Sequence, residues 1–303
     1  MMKPFPVLVS LVAFVLGGCA ATRPVAVERA AAAPVPVVAE TAGPRPDDNL
    51  NAVVWTQTAI ERELLTRQAF AAAREQLSRA LADPAWDALP HEEREGGIDR
   101  LEPAIIVDID ETMLDNSPYQ ARLVRDGASY DEFTWAQWCR EERAQAVPGA
   151  LEFARYAAER GVTVFYLSNR ARDLNTVTLA NLRRLGFPIA DRDDVFLGLG
   201  TVVPGCEQNG SEKGCRRRLV AREHRVLMQV GDQIGDFVDV LANTPAGRRQ
   251  AVEPYLGWIG ERWFVLPNPT YGSWEPALFN NAWSLPAAER RRMKLDALDY
   301  QGR

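Results

Sequence analysis

An apolar run that closes on two carboxylates one residue apart, Ile105-Ile106-Val107-Asp108-Ile109-Asp110-Glu111-Thr112, constrains this chain more than any other feature. A short run of β-branched residues bounded by polar ones is the pattern of a strand buried on both faces of a parallel sheet. In open α/β sheets ligands bind outside the carboxyl ends of the strands, so both carboxylates fall at the mouth of the sheet. Residues i and i+2 of an extended chain point to one side. Two like charges on one side repel, and a bound cation relieves that cost. Two readings stay open at this point: a metal site with a spare carboxylate for chemistry, or an acidic turn that simply meets solvent.

The rest of the chain alternates. Apolar residues at helical spacing predict one or two helices over Asn51–Ala82, and the first strand follows at Ala104–Ile109. A helix is expected from Pro148 to Arg160, ended by Gly161, then a strand at Val162–Leu167 and a helix from Arg172 to Leu185 closed by Gly186 and Pro188. Val195–Leu199 reads as a third strand, Glu212–His224 as a helix and Arg225–Val230 as a fourth strand. Phe237–Leu241 begins another helix, Trp263–Leu266 is a late strand, and Ser284–Gln301 finishes as a charged helix. Strands alternating with helices predict an α/β fold, a three-layer α/β/α sandwich around a mostly parallel sheet. Segments outside the alternation, about residues 49–100, 115–147 and 243–303, are expected to form a smaller, mainly helical cap.

Each core strand ends in a polar cluster: Asp108 and Asp110, then Ser168-Asn169-Arg170, then Gly231-Asp232-Gln233-Ile234-Gly235-Asp236, with Lys213 opening a helix between the last two. Taken singly these are ordinary. Ser168-Asn169 and Asp236 match helix caps, Lys213 a solvated lysine and Gly231-Asp232 a turn. Together, at one sheet edge, they supply a carboxylate nucleophile, a second carboxyl, a hydroxyl, an ammonium and hard oxygen ligands, which is what phosphoryl transfer needs.

These clusters resemble those of the haloacid dehalogenase (HAD) superfamily of phosphohydrolases, and more narrowly the class C bacterial acid phosphatases, also met as outer-membrane lipoprotein 5′-nucleotidases. The stretch Ile106 to Tyr119 fits the first signature throughout, and Leu227 to Phe237 fits the last in its acidic frame, departing at Gln233 and Ile234. Lys213-Gly214-Cys215-Arg216 keeps a spaced Lys and Arg. The resemblance implies a HAD-like core and a Mg²⁺-dependent acid phosphatase acting on nucleoside 5′-monophosphates, nicotinamide mononucleotide included. It implies that Asp108 is the nucleophile and Asp110 the acid and base. Mg²⁺ would lie on the Asp108 and Asp232 side chains and the Asp110 carbonyl, with Asp236 orienting metal waters or Lys213. Ser168, Asn169 and Lys213 would hold phosphate oxygens, and Arg216 is either structural or at the phosphate entrance. Trp135 and Tyr271 match aromatics that sandwich the substrate's ring, whereas Trp138 and Trp274 are assigned to packing. Two alternatives share these residues: a phosphotransferase discharging the same aspartyl phosphate to an alcohol, and a lipid-anchored binding protein without catalysis.

The amino terminus points to export. Lys3 precedes a short apolar stretch, Pro6–Leu16, and Leu16-Gly17-Gly18-Cys19 resembles a lipobox. That implies a signal peptide over 1–18, a lipidated Cys19, an Ala- and Pro-rich tether over 19–48 and anchoring in the outer membrane of a Gram-negative bacterium. The folded part, 49–303, then lies in an oxidising compartment. There Cys206 and Cys215 form a short disulfide or remain two thiols, and Cys139 is a free thiol. A net charge of −6 without a basic tract argues against nucleic acid as a bulk partner. A homodimer is known among relatives of this kind.

Overall fold

The amino-terminal periodicity folds as two helices, α1 (Leu50–Thr58) and α2 (Ile60–Ala82), parted at Ala59, whose backbone is extended. They open a computed structural model that describes residues 48–192 and 195–301. The export leader, Cys19 and all of the tether but Asp48 lie outside the described residues.

Strand β1 (Glu102–Val107) follows, then a short strand β2 (Leu114–Asp115), helices α3 (Ser117–Asp126) and α4 (Glu132–Glu141), and β3 (Gln145–Ala146). The chain continues through α5 (Ala150–Ala158), β4 (Thr163–Ala171), α6 (Asn175–Leu185) and β5 (Phe196–Leu199). It ends with α7 (Gly214–Ala221), β6 (His224–Gly231), α8 (Pro245–Val252), β7 (Trp263–Val265) and α9 (Ala287–Asp296). Strands β5, β4, β1, β6 and β7 lie side by side in that order, all parallel, and β2 pairs antiparallel with β3.

The continuous apolar run of β1 is explained by burial on both faces. Ile105 and Val107 pack into one core with Phe70 and Leu77 of α2 and Phe153 of α5. Ala104 and Ile106 pack into the other with Val220 of α7, Tyr255 and Trp263. The chain first builds outward from β1 to β4 and β5, then returns to lay β6 on the opposite side. The order therefore reverses next to β1, and the carboxyl ends of β4, β1 and β6 are immediate neighbours, as at the ligand site of other open α/β sheets.

Four expectations are corrected. Helix α2 belongs to the layer packed on the sheet rather than to a cap, because Phe70, Ala73, Leu77 and Ala80 form one buried stripe. No helix begins at Arg172: β4 runs on through Ser168-Asn169-Arg170 to Ala171, and a short 3₁₀ turn at Arg172–Leu174 precedes α6. Phe237–Leu241 is irregular, since Phe237, Val238 and Val240 are drawn into the core and the next helix starts only at Pro245, with Thr244 accepting the Gly247 N–H at its cap. The last helix is shorter than Ser284–Gln301 and begins after Pro286. Cys206 and Cys215 are joined in a disulfide, and Cys139 is free and buried.

A buried ion-pair cluster seats α7 against the loop after β6. Arg217, fully buried, donates from Nε to Glu93 Oε2 at 2.8 Å and from Nη2 to Glu93 and to Asp239 Oδ1, the latter at 2.8 Å. Its Nη1 donates to the Gly235 carbonyl at 3.0 Å. Arg's planar fork suits this multi-acceptor role better than a lysine would.

Candidate active site

Asp108 follows the last residue of β1, and its backbone N–H extends the ladder to the Val230 carbonyl of β6 at 2.9 Å. The chain then turns tightly: the N–H groups of Met113 and Leu114 both reach the Ile109 carbonyl at 2.8 Å. Glu111 pivots this turn in the left-handed region at φ 61°, a conformation that costs about 1–3 kcal/mol for a residue with a side chain. What offsets it is visible. The Glu111 carboxylate accepts the Asn116 N–H at 2.7 Å and also takes the Tyr271 hydroxyl.

Asp110 is gripped from three directions. Ser168 Oγ donates to its Oδ2 at 3.0 Å, and its Oδ1 accepts Asn116 Nδ2 at 2.9 Å and Arg170 Nε at 2.9 Å. Ser168 and Arg170 share one side of β4 by strand alternation, which is why both reach the same carboxylate. Arg170 is buried; it also donates to Thr178 Oγ1 at 3.1 Å and Asn116 Oδ1 at 3.2 Å, and lies over the Trp135 ring at 5.4 Å. Between them, Asn169 is exposed toward the cleft.

Lys213, at the amino-terminal cap of α7, points inward rather than to solvent. Its Nζ donates to Asp108 Oδ1, to Asp236 Oδ1 at 2.7 Å and to the Leu167 carbonyl at 2.9 Å, which uses all three ammonium protons. Burial alone would lower its pKa, but Asp108 and Asp236 outweigh that and hold it raised as an ammonium. Asp236 Oδ2 accepts the backbone N–H groups of Asp232 and Gln233 at 3.0 and 2.9 Å. Gly231 makes this possible, because a Cβ there would sit 2.3 Å from Asp236 Oδ2.

Oxygens of Asp108, Asp232 and Asp236 lie within 4.8 Å of one another. Asp232 is aimed by two donors on its Oδ2, Gln233 Nε2 at 2.9 Å and Asn268 Nδ2 at 2.7 Å. The departure at Gln233 thus keeps the acidic frame and adds an orienting bond. Burial pushes the Asp232 carboxyl up to about 7, with Asp236 adding to the shift. Burial likewise raises Asp108 and Glu111 well above the ordinary carboxylate range. Five carboxylates (Asp108, Asp110, Glu111, Asp232, Asp236) thus face two buried cations, Lys213 and Arg170. Hard oxygen donors with excess negative charge are the donor set a divalent cation takes.

Asp108, Asp110, Arg170, Lys213, Asp232 and Asp236 line a cleft of about 1160 Å³, together with Trp135, Tyr271 and Trp274. Trp135 packs edge-on to Tyr119 with ring centres 5.2 Å apart. Trp138 is structural, its Nε1 donating to Asn116 Oδ1 at 2.8 Å. One assignment changes, and of the two alternatives for Arg216 the structural one holds. Trp274 is no packing residue; it is 39 % exposed in the cleft wall. Arg216 is not at the phosphate entrance: it is fully buried, with Nη1 on the Ser168 carbonyl at 2.6 Å and Nη2 on Asn169 Oδ1 at 2.7 Å. It holds the Ser168-Asn169 backbone in place instead. Arg170, Glu111, Asn116 and Asn268 were not singled out from the sequence. For Arg170 the signal was the i+2 spacing from Ser168, hidden by a helix expected at Arg172; the others depend on contacts across the fold.

A family model described as HAD superfamily, subfamily IIIB (acid phosphatase), matches residues 18–274. Among solved structures, the class C acid phosphatase from Bacillus anthracis with tungstate bound is similar at 33 % identity, covering 82 % of this chain and 96 % of that one, with a TM-score of 0.70. Among curated proteins, the stem 28 kDa glycoprotein of Glycine max is 26 % identical over 168 residues, 55 % of this chain and 58 % of its own length. Acid phosphatase 1 of Solanum lycopersicum is 26 % identical over 171 residues, 55 % of this chain and 57 % of its own. The chain spans a little over half the length of the curated relatives it matches.

The raised Asp232 carboxyl predicts a pH-dependent response to metal. An unfolded Asp titrates at about 3.9. Because the folded pKa is higher, this group's contribution to stability is intact below about pH 3.9 and is lost as pH rises through about 7. A divalent cation binds the ionised form and reverses that loss. Thermal melts with and without millimolar MgCl₂ should therefore show an upward shift of several degrees at about pH 8 and a much smaller one at about pH 5. Equal shifts at both values would remove Asp232 from the cation site.

Proposed function

The chain belongs to subfamily IIIB of the HAD superfamily, the acid phosphatases, and from that premise we propose that it is a Mg²⁺-dependent hydrolase of phosphomonoesters, with nucleoside 5′-monophosphates, nicotinamide mononucleotide included, as the substrates its cleft fits best. One observation carries the reading: Asp108 at the end of β1 touches Lys213, while Asp110, two residues on, is held by Ser168, Arg170 and Asn116. The residues read here as nucleophile, counter-charge and proton donor thus share one edge of the sheet. Tungstate, an oxyanion shaped like phosphate, is bound in the B. anthracis neighbour, which supports an oxyanion as ligand here.

The sequence of steps follows from these residues. An Asp108 carboxylate oxygen attacks phosphorus in line, the bond to the leaving oxygen breaks, and an aspartyl phosphate forms. Asp110 gives its proton to the leaving alkoxide, then takes one from the water that attacks the aspartyl phosphate, so inorganic phosphate leaves and both carboxyls are restored. Lys213 sets its positive charge beside the phosphoryl oxygens where negative charge develops, and the Asn169 N–H and the Ser168 hydroxyl, once turned from Asp110, donate to them. The Asp108 and Asp232 side chains and the Asp110 carbonyl would hold Mg²⁺, which would supply the charge neutralisation an anionic carboxylate needs to approach an anionic phosphate. Asp236 positions Lys213 and the backbone around Asp232. Trp135 and Tyr271 stack the base, each worth about 1–3 kcal/mol and tolerant of base identity.

The anchor belongs to the same reading. We propose that Cys19 is lipidated after cleavage and tethers the domain to the outer membrane; several acyl chains give durable anchoring where one is marginal. Expressed in a Gram-negative host, the full chain should partition with detergent, and Cys19→Ser should move it to the aqueous phase. Unchanged partition would sink the anchor.

Phosphate release from a panel of nucleoside 5′-monophosphates and an aryl phosphate, with and without Mg²⁺, tests the activity. Asp108→Asn, nearly isosteric, should lower it by about 10³-fold or more while the melting curve keeps its shape. Full activity in that variant would strike Asp108 from the nucleophile role.

Arg170 offers a finer test. If it positions Asp110 as proton donor, Arg170→Lys should reduce kcat/KM for an alkyl phosphate, whose leaving group needs a proton, by about 10²-fold or more. An aryl phosphate with a good leaving group should lose far less. Equal losses on both would mean Arg170 merely supports the fold.

A further inference from the structure

We propose that the outer half of the cleft is a second nucleoside subsite, built around Trp283 and Arg290, so that a 5′-phosphorylated dinucleotide joined by a phosphodiester is a better substrate than the matching mononucleotide. This rests on the nucleotide reading above and extends it.

The cleft, at about 1160 Å³, is larger than the roughly 300–1,000 Å³ of most small-molecule sites. Exposure rises along its wall: Asp108 is 6 % and Trp135 8 % exposed, whereas Trp274 is 39 % and Trp283 55 % exposed. The reacting groups and the first aromatic wall therefore lie at the floor, and a second pair of indoles lies at the rim. The rim indoles are held in place. Phe279 meets Trp283 edge-on with ring centres 5.1 Å apart, and the Arg290 guanidinium lies 5.3 Å from its ring centre. Trp274 Nε1 donates to the Tyr271 carbonyl at 3.2 Å, which links the rim to the inner stacking residue. A pinned, exposed aromatic face loses little entropy when a second ring stacks on it.

Helix α9 forms part of this rim although none of its residues is buried. Core burial does not account for its position. Ion pairs do: Arg291 to Asp48 at 3.0 Å and Lys294 to Glu275 at 3.0 Å. Those two cations are balanced by their partners. Arg290 is different, because its Nη1 donates to the carbonyls of Trp283 and Leu285 and no carboxylate pairs with it among the described residues. One uncompensated cation beside one exposed indole matches one phosphodiester charge beside one further base. Longer nucleic acid is disfavoured by the net charge of −6, and Arg291 and Lys294 beside Arg290 are already paired with carboxylates.

The test compares kcat/KM of the full chain, with Mg²⁺, for a 5′-phosphorylated dinucleotide and for its 5′-mononucleotide. The dinucleotide should be favoured about tenfold, the scale of one stacked base. Trp283→Ala and Arg290→Gln should each erase most of that advantage and leave the mononucleotide value within about twofold. Equal kcat/KM for the two substrates in the parent chain overturns the subsite, as does an advantage that persists in both variants, or a loss that falls equally on both substrates. Hydrolysis of the mononucleotide without the advantage defeats this inference alone; no hydrolysis of either nucleotide defeats it together with the nucleotide reading on which it stands.

Discussion

A single buried ammonium organises the site. Lys213 Nζ spends its three protons on Asp108, Asp236 and the Leu167 carbonyl, and so joins the ends of β1, β4 and β6. Burying one ion costs several kcal/mol unless partners satisfy it, and here every proton has an acceptor. The supports of Lys213 are themselves fixed. The Gly214 N–H binds Asp239 Oδ1 at 2.9 Å, Arg217 ties α7 to Glu93 and Asp239, and the Cys206–Cys215 disulfide closes the loop that carries the lysine. With Lys213 engaged, the remaining carboxylates are left with excess negative charge, and this is the electrostatic reason for a cation there.

Asp110, Glu111 and the aromatic walls belong to one network of hydrogen bonds and a cation–ring contact. Arg170 grips Asp110 and lies over Trp135. Glu111, in its left-handed turn, holds both Asn116 and the Tyr271 hydroxyl. Asn116 in turn contacts Asp110, Arg170 and Trp138. The Asp110 carboxylate and the aromatic walls of the cleft are therefore linked through Arg170, Asn116 and Glu111. Fully satisfied polar networks of this kind rigidify a site, and rigidity is what acid–base geometry requires.

Much of this was legible before folding. The run Ile105–Asp110, the ends of β4 and β6 and the position of Lys213 are local patterns, and strand alternation with a parallel sheet brings them to one edge. Other features were not. Ser168-Asn169 looks like a helix cap in isolation, which would end β4 before Arg170; β5 instead pairs with β4 at Leu167 and again at Ala171 and holds the strand extended. Arg216 shares the charge and spacing of a phosphate ligand, yet its guanidinium is consumed by the carbonyls of Ser168 and Ser211 and by Asn169 Oδ1. Phe237–Leu241 carries a helical pattern that core burial overrides.

By itself the sequence determined which residue types stand at the strand ends, that β1 must be covered on both faces, and hence an α/β fold with acidic groups at its mouth. Periodicity and turn chemistry act within a few residues, so they are readable along the chain. The tertiary structure alone decided which donor meets which oxygen: Arg170 on Asp110, Tyr271 on Glu111 and Asn268 on Asp232. The three side-chain contacts join residues 60, 160 and 36 positions apart, and their strength depends on distance, direction and exclusion of water, none of which exists until the layers close.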